Sequence, residues 1–380
     1  MPNASVRADL PEPSADELAH SERLSALIWH AIEAAGGALD FSRYMELALY
    51  APGLGYYSAG AAKFGAAGDF VTAPELGFVF ARCLARALAP TLRETRGDIL
   101  ELGPGSGALA ADLLAELERL DALPARYLLL ERSADLCERQ QQRILRDCPR
   151  LHARCGWLDA PPAQPWRGAL IANEVIDALP VRAFVLRDAD VFARAVGVDR
   201  DGRFIWREVA ADAALRAAAK RIIPDAAALP RPYVSEVCTL LVPWFAEIAR
   251  TLGTGTAWFI DYGYFRADYY SVQRATGTLR CHWRHRAHDD PLILPGLQDI
   301  TAHVDFDALT EAGAAAGFAA DAVQSQAQFL IRHGLDEVFA DAYAQAADEA
   351  ARYALAQQVK RLTLPGQMGE TFKVLRLRRS

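Results

Sequence analysis

The chain has 380 residues, enough for two domains or one enlarged domain at about 150 residues each. Lys+Arg total 41 against 48 Asp+Glu, a net charge of -7, so a global basic footprint for duplex nucleic acid is absent. Hydrophobic residues make up 52% and charged residues 23%, which excludes global disorder, and no apolar run reaches the roughly 18 residues needed to span a bilayer. Residues 1–20 hold Pro11 and Pro13 among polar residues and are expected to be a flexible leader. They contain no apolar signal-peptide region and are too acidic for a transit peptide, so the expected location is the cytoplasm. Leu24, Leu27, Ile28 and Ile32 recur at helical spacing from Ser21 and stop at Gly36-Gly37. A second helix is expected over 41–49, then a Gly-rich segment with Tyr56 and Tyr57, then a third helix over 74–89. Residues 21–97 thus read as a helical cap.

From Asp98 the pattern changes. Short apolar strands are expected at 99–102, 127–130, 153–158 and 169–172, with helices at 108–119 and 134–146 between them. Strands alternating with helices at this spacing define an α/β fold with a mostly parallel sheet covered on both faces. Residues 182–208 read as an antiparallel insertion turning at Asp201-Gly202, with helices at 210–222 and 237–251. A further core strand is expected at 257–260, a long polar loop at 278–305, helices at 306–316 and 336–361, and a closing strand at 372–377. The six cysteines form no C-x-x-C pair. Cys281, His282, His285, His288, Asp289 and Asp290 are loosely spaced for zinc, but Arg284 and Arg286 add repulsive charge, so no metal is expected. His303 and Asp305 could pair, and Tyr262, Tyr264, Tyr269 and Tyr270 could line a pocket, with structural roles as the alternative.

The strongest local signal is ILELGPGSGAL, residues 99–109. Gly103, Gly105 and Gly107 follow a buried strand and open a helix, which permits a sharp turn and offers free N–H groups to a ligand. Glu101 precedes the turn, and Glu131 ends the next strand, where a carboxylate can accept from both ribose hydroxyls. GPGSGA also fits a dinucleotide fingerprint, but Glu101 would repel a pyrophosphate while favouring the ammonium and sulfonium of S-adenosylmethionine. ATP bound through a P-loop is disfavoured because the GxxxxGK[ST] pattern is missing.

These residues carry a resemblance. ELGPGSG followed by LERS resembles class I S-adenosylmethionine-dependent methyltransferases, and the wider set resembles the MidA-like family. That set comprises GYYSAG, GDFVTAPELG, ANEVIDALPV, IDYGY, the block at 277–306 and QMGETFKVL, and it runs from about residue 40 to the C-terminus. Ser106 departs from the Arg that many relatives carry. The resemblance implies a Rossmann-like seven-stranded methyltransferase core over 98–380, with insertions at about 181–250 and 265–305. It implies S-adenosyl-L-methionine as cofactor and methylation of arginine in a protein partner such as a respiratory complex I subunit, as in the family's mitochondrial assembly enzyme.

For that chemistry Gly103, Gly105 and Gly107 are expected to shape the methionine pocket, with Glu101 near the ammonium and Glu131 on the ribose. Asn173 is expected at the sheet's carboxyl edge, and Asp69 in the lid or in an Asx-turn. An arginine acceptor needs a carboxylate to orient it and take its proton. Glu174 and Asp177 are the candidates, on one face if the segment is helical. Asp177 could equally cap the Ala-Leu-Pro turn. Two rival functions remain at this point: an assembly factor that uses the cofactor little, and a NAD-dependent oxidoreductase.

Overall fold

The computed structural model describes residues 10–59, 72–188, 190–223 and 225–380. Asp69 lies outside them. The first described helix, α1 (Ala15–Ala34), begins earlier than the expected leader allows. Ser14 and Glu17 form a capping box that satisfies two N-terminal donors, and this starts the helix within the polar stretch. Residues of the expected leader thus enter the fold, with the Trp283 indole donating to the Pro11 carbonyl at 3.0 Å. A two-residue strand β1 (Leu39–Asp40) and α2 (Phe41–Tyr50) follow.

The helix expected over 74–89 is split. Residues Ala73–Leu76 form a 3-10 turn, Gly77 breaks it at φ 131°, and α3 runs Val79–Thr95. Its buried face joins Ile99, Ala169 and Ile171, so α3 is a layer of the central sheet rather than part of a separate cap.

The alternating core reads as expected, with small shifts at its ends. It runs β2 (Asp98–Leu102), α4 (Ala108–Arg119), β3 (Tyr127–Leu130), α5 (Ala134–Asp147), β4 (Cys155–Leu158) and β5 (Trp166–Asn173). The insertion gives β6 (Arg182–Arg187), β7 (Asp190–Val198), β8 (Phe204–Ala210), α6 (Ala213–Ile222) and β9 (Tyr233–Val237). The helix expected over 237–251 is confined to α7 (Leu241–Ala249) because Tyr233–Val237 pairs with β6. Next come β10 (Leu252–Tyr264) and a short helix α8 (Arg266–Tyr269).

The polar loop expected over 278–305 carries four short strands: β11 (Arg280–Trp283), β12 (Arg286–His288), β13 (Asp299–Thr301) and β14 (Val304–Asp305). Its tight hairpin uses Arg284 and His285 at φ 45° and 63°, residues that give no glycine or asparagine turn signal. The chain closes with α9 (Phe306–Ala315), β15 (Ala319–Ala320), β16 (Gln324–Ser325), α10 (Gln326–Arg332), α11 (Leu335–Gln345), α12 (Glu349–Thr363), α13 (Met368–Thr371) and β17 (Phe372–Arg379). The single helix expected over 336–361 is two, because Asp348 caps a new start by accepting from the Ala351 N–H at 2.8 Å.

The central sheet has the order β15-β17-β10-β5-β2-β3-β4. β10, β5, β2, β3 and β4 are parallel and β17 is antiparallel to β10. Successive strands step outward from β2 to β4, then β5 returns to the other side of β2. This reversal opens a crevice at the strands' carboxyl ends, the place where ligands bind in such sheets. Alternation along the strands feeds two cores. Ile99, Ile171 and Ile260 face one, with α3 and α4; Leu100, Leu170 and Phe259 face the other, with α7 and α9. β1, β6, β7, β8 and β9 make a second sheet, and β11–β13 a third.

Candidate active site

β2 is buried at all five positions, as a central parallel strand must be. Its Glu101 is 3% exposed, and the Tyr127 hydroxyl donates to Oε2 at 2.8 Å. Burial pushes its carboxyl up to about 7, with the Tyr127 hydrogen bond opposing. The chain then turns through Gly103, Gly105 and Gly107, at φ 56°, 55° and 79°, a region that side chains with a Cβ rarely adopt. Gly103 and Gly105 line a cavity of about 1340 Å³. Gly107 is not among the lining residues. It sits at the start of α4, where a Cβ would come within 3.2 Å of the Gln140 backbone, so its requirement is helix packing.

Glu131 also lines the cavity. It accepts from the Ser133 N–H at 2.8 Å and from the Gln140 amide at 3.2 Å, so it is held in place rather than left as a solvated strand-end carboxylate. Its carboxyl is raised by burial. Gln140 is fully buried on α5. Besides Glu131 it donates to the Gly105 carbonyl at 2.8 Å and accepts from the Trp157 indole at 2.9 Å. A second link ties the turn at Ala73–Leu76 to the glycine turn. The Ser106 hydroxyl bonds the Glu75 carboxylate and accepts from Arg143 at 2.9 Å. A guanidinium thus does reach the place of Ser106, supplied by α5.

At the end of β5, Asn173, Glu174 and Asp177 line the same cavity. The helix expected to align the two acids does not form. Glu174 is left-handed at φ 53° and the segment is a turn, yet the turn brings both carboxylates to the cavity. Asp261, on β10 and 1% exposed, holds that turn by accepting from the N–H groups of Ile176 at 3.0 Å and Asp177 at 3.3 Å. The Tyr262 hydroxyl donates to Asp177 Oδ2 at 2.6 Å, while Asp177 Oδ1 is buried with no partner among the described residues. The Asn173 amide donates to Glu174 at 3.1 Å.

Burial and the Asp177 charge push the Glu174 carboxyl up to about 8. Burial raises Asp177 to about 6 against its Tyr262 hydrogen bond, and burial with the neighbouring Asp177 and Glu174 charges drives Asp261 well above the usual range.

Of the four tyrosines considered, Tyr262 lines the cavity, whereas Tyr269 and Tyr270 belong to the core under the second sheet. His303 and Asp305 do not pair. The His303 ring stacks on Tyr264, and Asp305 binds Arg266 at 3.1 Å and caps α9. Along β11, Arg280 and His282 reach the cavity while Cys281 and Trp283 are buried. Sequence reasoning missed Gln140, Asp261, Tyr57 and Asp299. The last two share the cavity, and the Tyr57 hydroxyl donates to Asp299 at 2.9 Å.

A parallel sheet reversing at a glycine turn, with a buried carboxylate beneath it and another acid at the next strand end, defines a class I S-adenosylmethionine-dependent methyltransferase. The donor set fits that cofactor. Glu101 is a buried acid with no cationic partner among the described residues, which suits an ammonium, and the same acid opposes the pyrophosphate a NAD enzyme must hold here. The comparisons place the chain within this class. Residues 83–324 match the family described as "Putative S-adenosyl-L-methionine-dependent methyltransferase", and the chain belongs to it. A Burkholderia thailandensis protein bound to S-adenosyl-homocysteine superposes with a TM-score of 0.92 at 42% identity, covering 98% of this chain and 95% of that one.

Among curated proteins, the chain is 29% identical over 303 residues to "Protein arginine methyltransferase NDUFAF7 homolog, mitochondrial" of Drosophila melanogaster. That alignment covers 71% of this chain and 65% of the fly protein. It is 26% identical over 378 residues to the human "Protein arginine methyltransferase NDUFAF7, mitochondrial", covering 90% of this chain and 80% of that protein. The expected cytoplasmic location does not stand, because these relatives are mitochondrial proteins. No helix among the described residues is long and apolar enough to cross a membrane.

Proposed function

We propose that the chain methylates arginine nitrogen in a protein substrate, with Glu174 as the residue that orients the guanidinium and takes its proton. The observation that carries this is the carboxylate pair Glu174 and Asp177 on the cavity wall, with Glu174 raised to about 8. A guanidinium is a poor nucleophile until a carboxylate aligns it and accepts a proton. A base with a pKa near working pH is suited to that transfer. Glu101 would hold the cofactor's ammonium, Glu131 its ribose, and Gly103 and Gly105 the backbone against which it lies. When bound, the cofactor supplies a methyl group on a sulfonium leaving group. Asp177, held by Tyr262 and Asp261, would fix a second guanidinium nitrogen.

The relatives named as arginine methyltransferases support this reading, and a respiratory complex I subunit is the partner the family resemblance suggests. Residues as far apart as Glu46 and Phe372 line one cavity, which supports treating the chain as one elaborated catalytic domain.

The test is to incubate the purified protein with labelled cofactor and cell lysate, hydrolyse the labelled product, and identify the methylated residue. Label on arginine is expected, and label confined to another residue type would overturn the reading. Glu174→Gln should lower kcat roughly 100-fold or more while cofactor affinity stays unchanged. Because the free protein must lose a proton from Glu174 to bind a cation, kcat/KM should rise with pH up to about 8.

A further inference from the structure

The cavity is not built from the central sheet alone. Tyr50, the last residue of α2, and Tyr57 just beyond it line the cavity, as does Asp299 from β13. On β13 the side chains alternate. Ile300 is fully buried in the core with α1 and α2, whereas Asp299, 2% exposed, faces the cavity. The Tyr57 hydroxyl fixes its Oδ1 at 2.9 Å. The Tyr50 ring stacks on Tyr57 with centroids 5.6 Å apart and planes at 22°, and its hydroxyl donates to the Ala178 carbonyl at 2.9 Å, next to Asp177. The charge of Asp299 contributes to the upward shift of Glu174, so the two acids act within one field. Asp177 is 6% exposed, and its Oδ1 has no partner among the described residues.

We propose that Asp299, positioned by Tyr57, is a specificity-determining residue that selects a planar cationic acceptor group, a guanidinium, in concert with Glu174 and Asp177. This rests on the arginine reading and adds to it a residue from outside the methyltransferase sheet. Asp177 and Asp299, buried, and Glu174, half-buried, line one cavity and repel one another, and a cation entering between them relieves that repulsion. A hydroxyl or amide acceptor brings no such relief, and a carboxylate acceptor worsens it. Between cations, the guanidinium has five donors in a plane and can bond two carboxylates at once. Its flat face suits a tyrosine ring, whereas an ammonium is a compact, strongly hydrated point charge. The orphan Oδ1 of Asp177 is an acceptor that such a donor set satisfies.

The experiment is calorimetry on the full chain saturated with S-adenosylhomocysteine, titrated with ethylguanidinium chloride and separately with butylammonium chloride. The wild type should prefer ethylguanidinium roughly tenfold or more. Asp299→Asn should weaken ethylguanidinium binding roughly tenfold and narrow the preference, with S-adenosylhomocysteine affinity unchanged. Tyr57→Phe, which removes only one hydroxyl, should fall between them and carries the test if the Asn variant does not fold. An unaltered preference in both variants overturns the proposal, as does a parallel loss of S-adenosylhomocysteine affinity. Absence of any guanidinium preference in the wild type overturns it too. The calorimetry decides Asp299 alone. The residue labelled in lysate decides the arginine reading, so arginine labelling with an unaltered preference removes only the role of Asp299.

Discussion

Glu101 is a buried acid whose one described hydrogen-bond partner is the neutral Tyr127 hydroxyl, so its ionised form is costly until a cation arrives. That cost predicts a pH-dependent cofactor affinity. Below about pH 7 the free protein carries a growing fraction of protonated Glu101, and the cofactor's ammonium must displace that proton. Affinity for S-adenosylhomocysteine, measured by calorimetry, should therefore fall as pH drops from 7 to 5, by up to about tenfold per unit. Glu101→Gln should bind more weakly at pH 8 and lose this dependence. An unchanged slope in the variant would remove Glu101 from the ammonium site. Glu101, Glu131, Glu174 and Asp177 were legible in the sequence because each is an acid at or near the end of a readable strand. Asp261 and Asp299 were not. Asp261 works on the N–H groups of Ile176 and Asp177, 85 and 84 residues away, and Asp299 on Tyr57, 242 residues away, and no local pattern encodes such partners.

Among elements, α5 shows what periodicity leaves hidden. Its position between β3 and β4 follows from the alternation of apolar runs, and its Ser133 cap is readable from the residue type. The buried Gln140 is not, since a glutamine within a polar helix reads as a solvent-facing residue. Through that side chain α5 joins the Gly105 carbonyl, Glu131 and Trp157, and so couples the glycine turn to the ends of β3 and β4. Gln140→Leu keeps the bulk but leaves the Gly105 carbonyl and the Trp157 indole unpaired, and frees one oxygen of Glu131. Cofactor affinity should fall roughly tenfold, with a loss of stability of about 1–3 kcal/mol in urea unfolding. An affinity equal to wild type would show that Ser133 alone positions Glu131. The hairpin of β11 and β12 escaped the sequence for a related reason. Its turn residues Arg284 and His285 take left-handed angles that only the assembled sheet enforces, with Arg284 anchored to Glu17 of α1 at 2.8 Å.

Across the whole molecule, the site's acids leave a signature in stability. The histidines oppose them at first. Burial lowers His303 and His333 to about 4, so from there to pH 6.5 these two groups bind more protons in the unfolded chain than in the native one, and their own contribution to stability rises with pH. Carboxylates held low by ion pairs, such as Glu208 beside Arg187 and Glu311 beside Arg266, contribute stability that is lost only as pH falls below the ordinary carboxylate range. Above pH 6.5 the raised acids remain. Glu101 near 7 and Glu174 near 8 hold protons in the native state that the unfolded chain has already lost. Their contribution is full below the unfolded value of about 4.3 and declines as pH rises through 7 and 8. The cofactor-free protein should thus lose stability between pH 6.5 and 8, on the order of 1 kcal/mol per pH unit for each proton retained. Urea unfolding at intervals across that range measures the slope. Glu174→Gln should reduce it, because that position then has no proton to lose, and Glu101→Gln should reduce it mainly below pH 7. Saturating S-adenosylhomocysteine should flatten the Glu101 part alone, since its ammonium lowers that carboxyl without touching Glu174. Asp261, also raised, leaves a residual slope, so the reading fails if neither substitution reduces the slope; the protons would then lie elsewhere in the fold, and the cavity would not be an acidic site awaiting two cations.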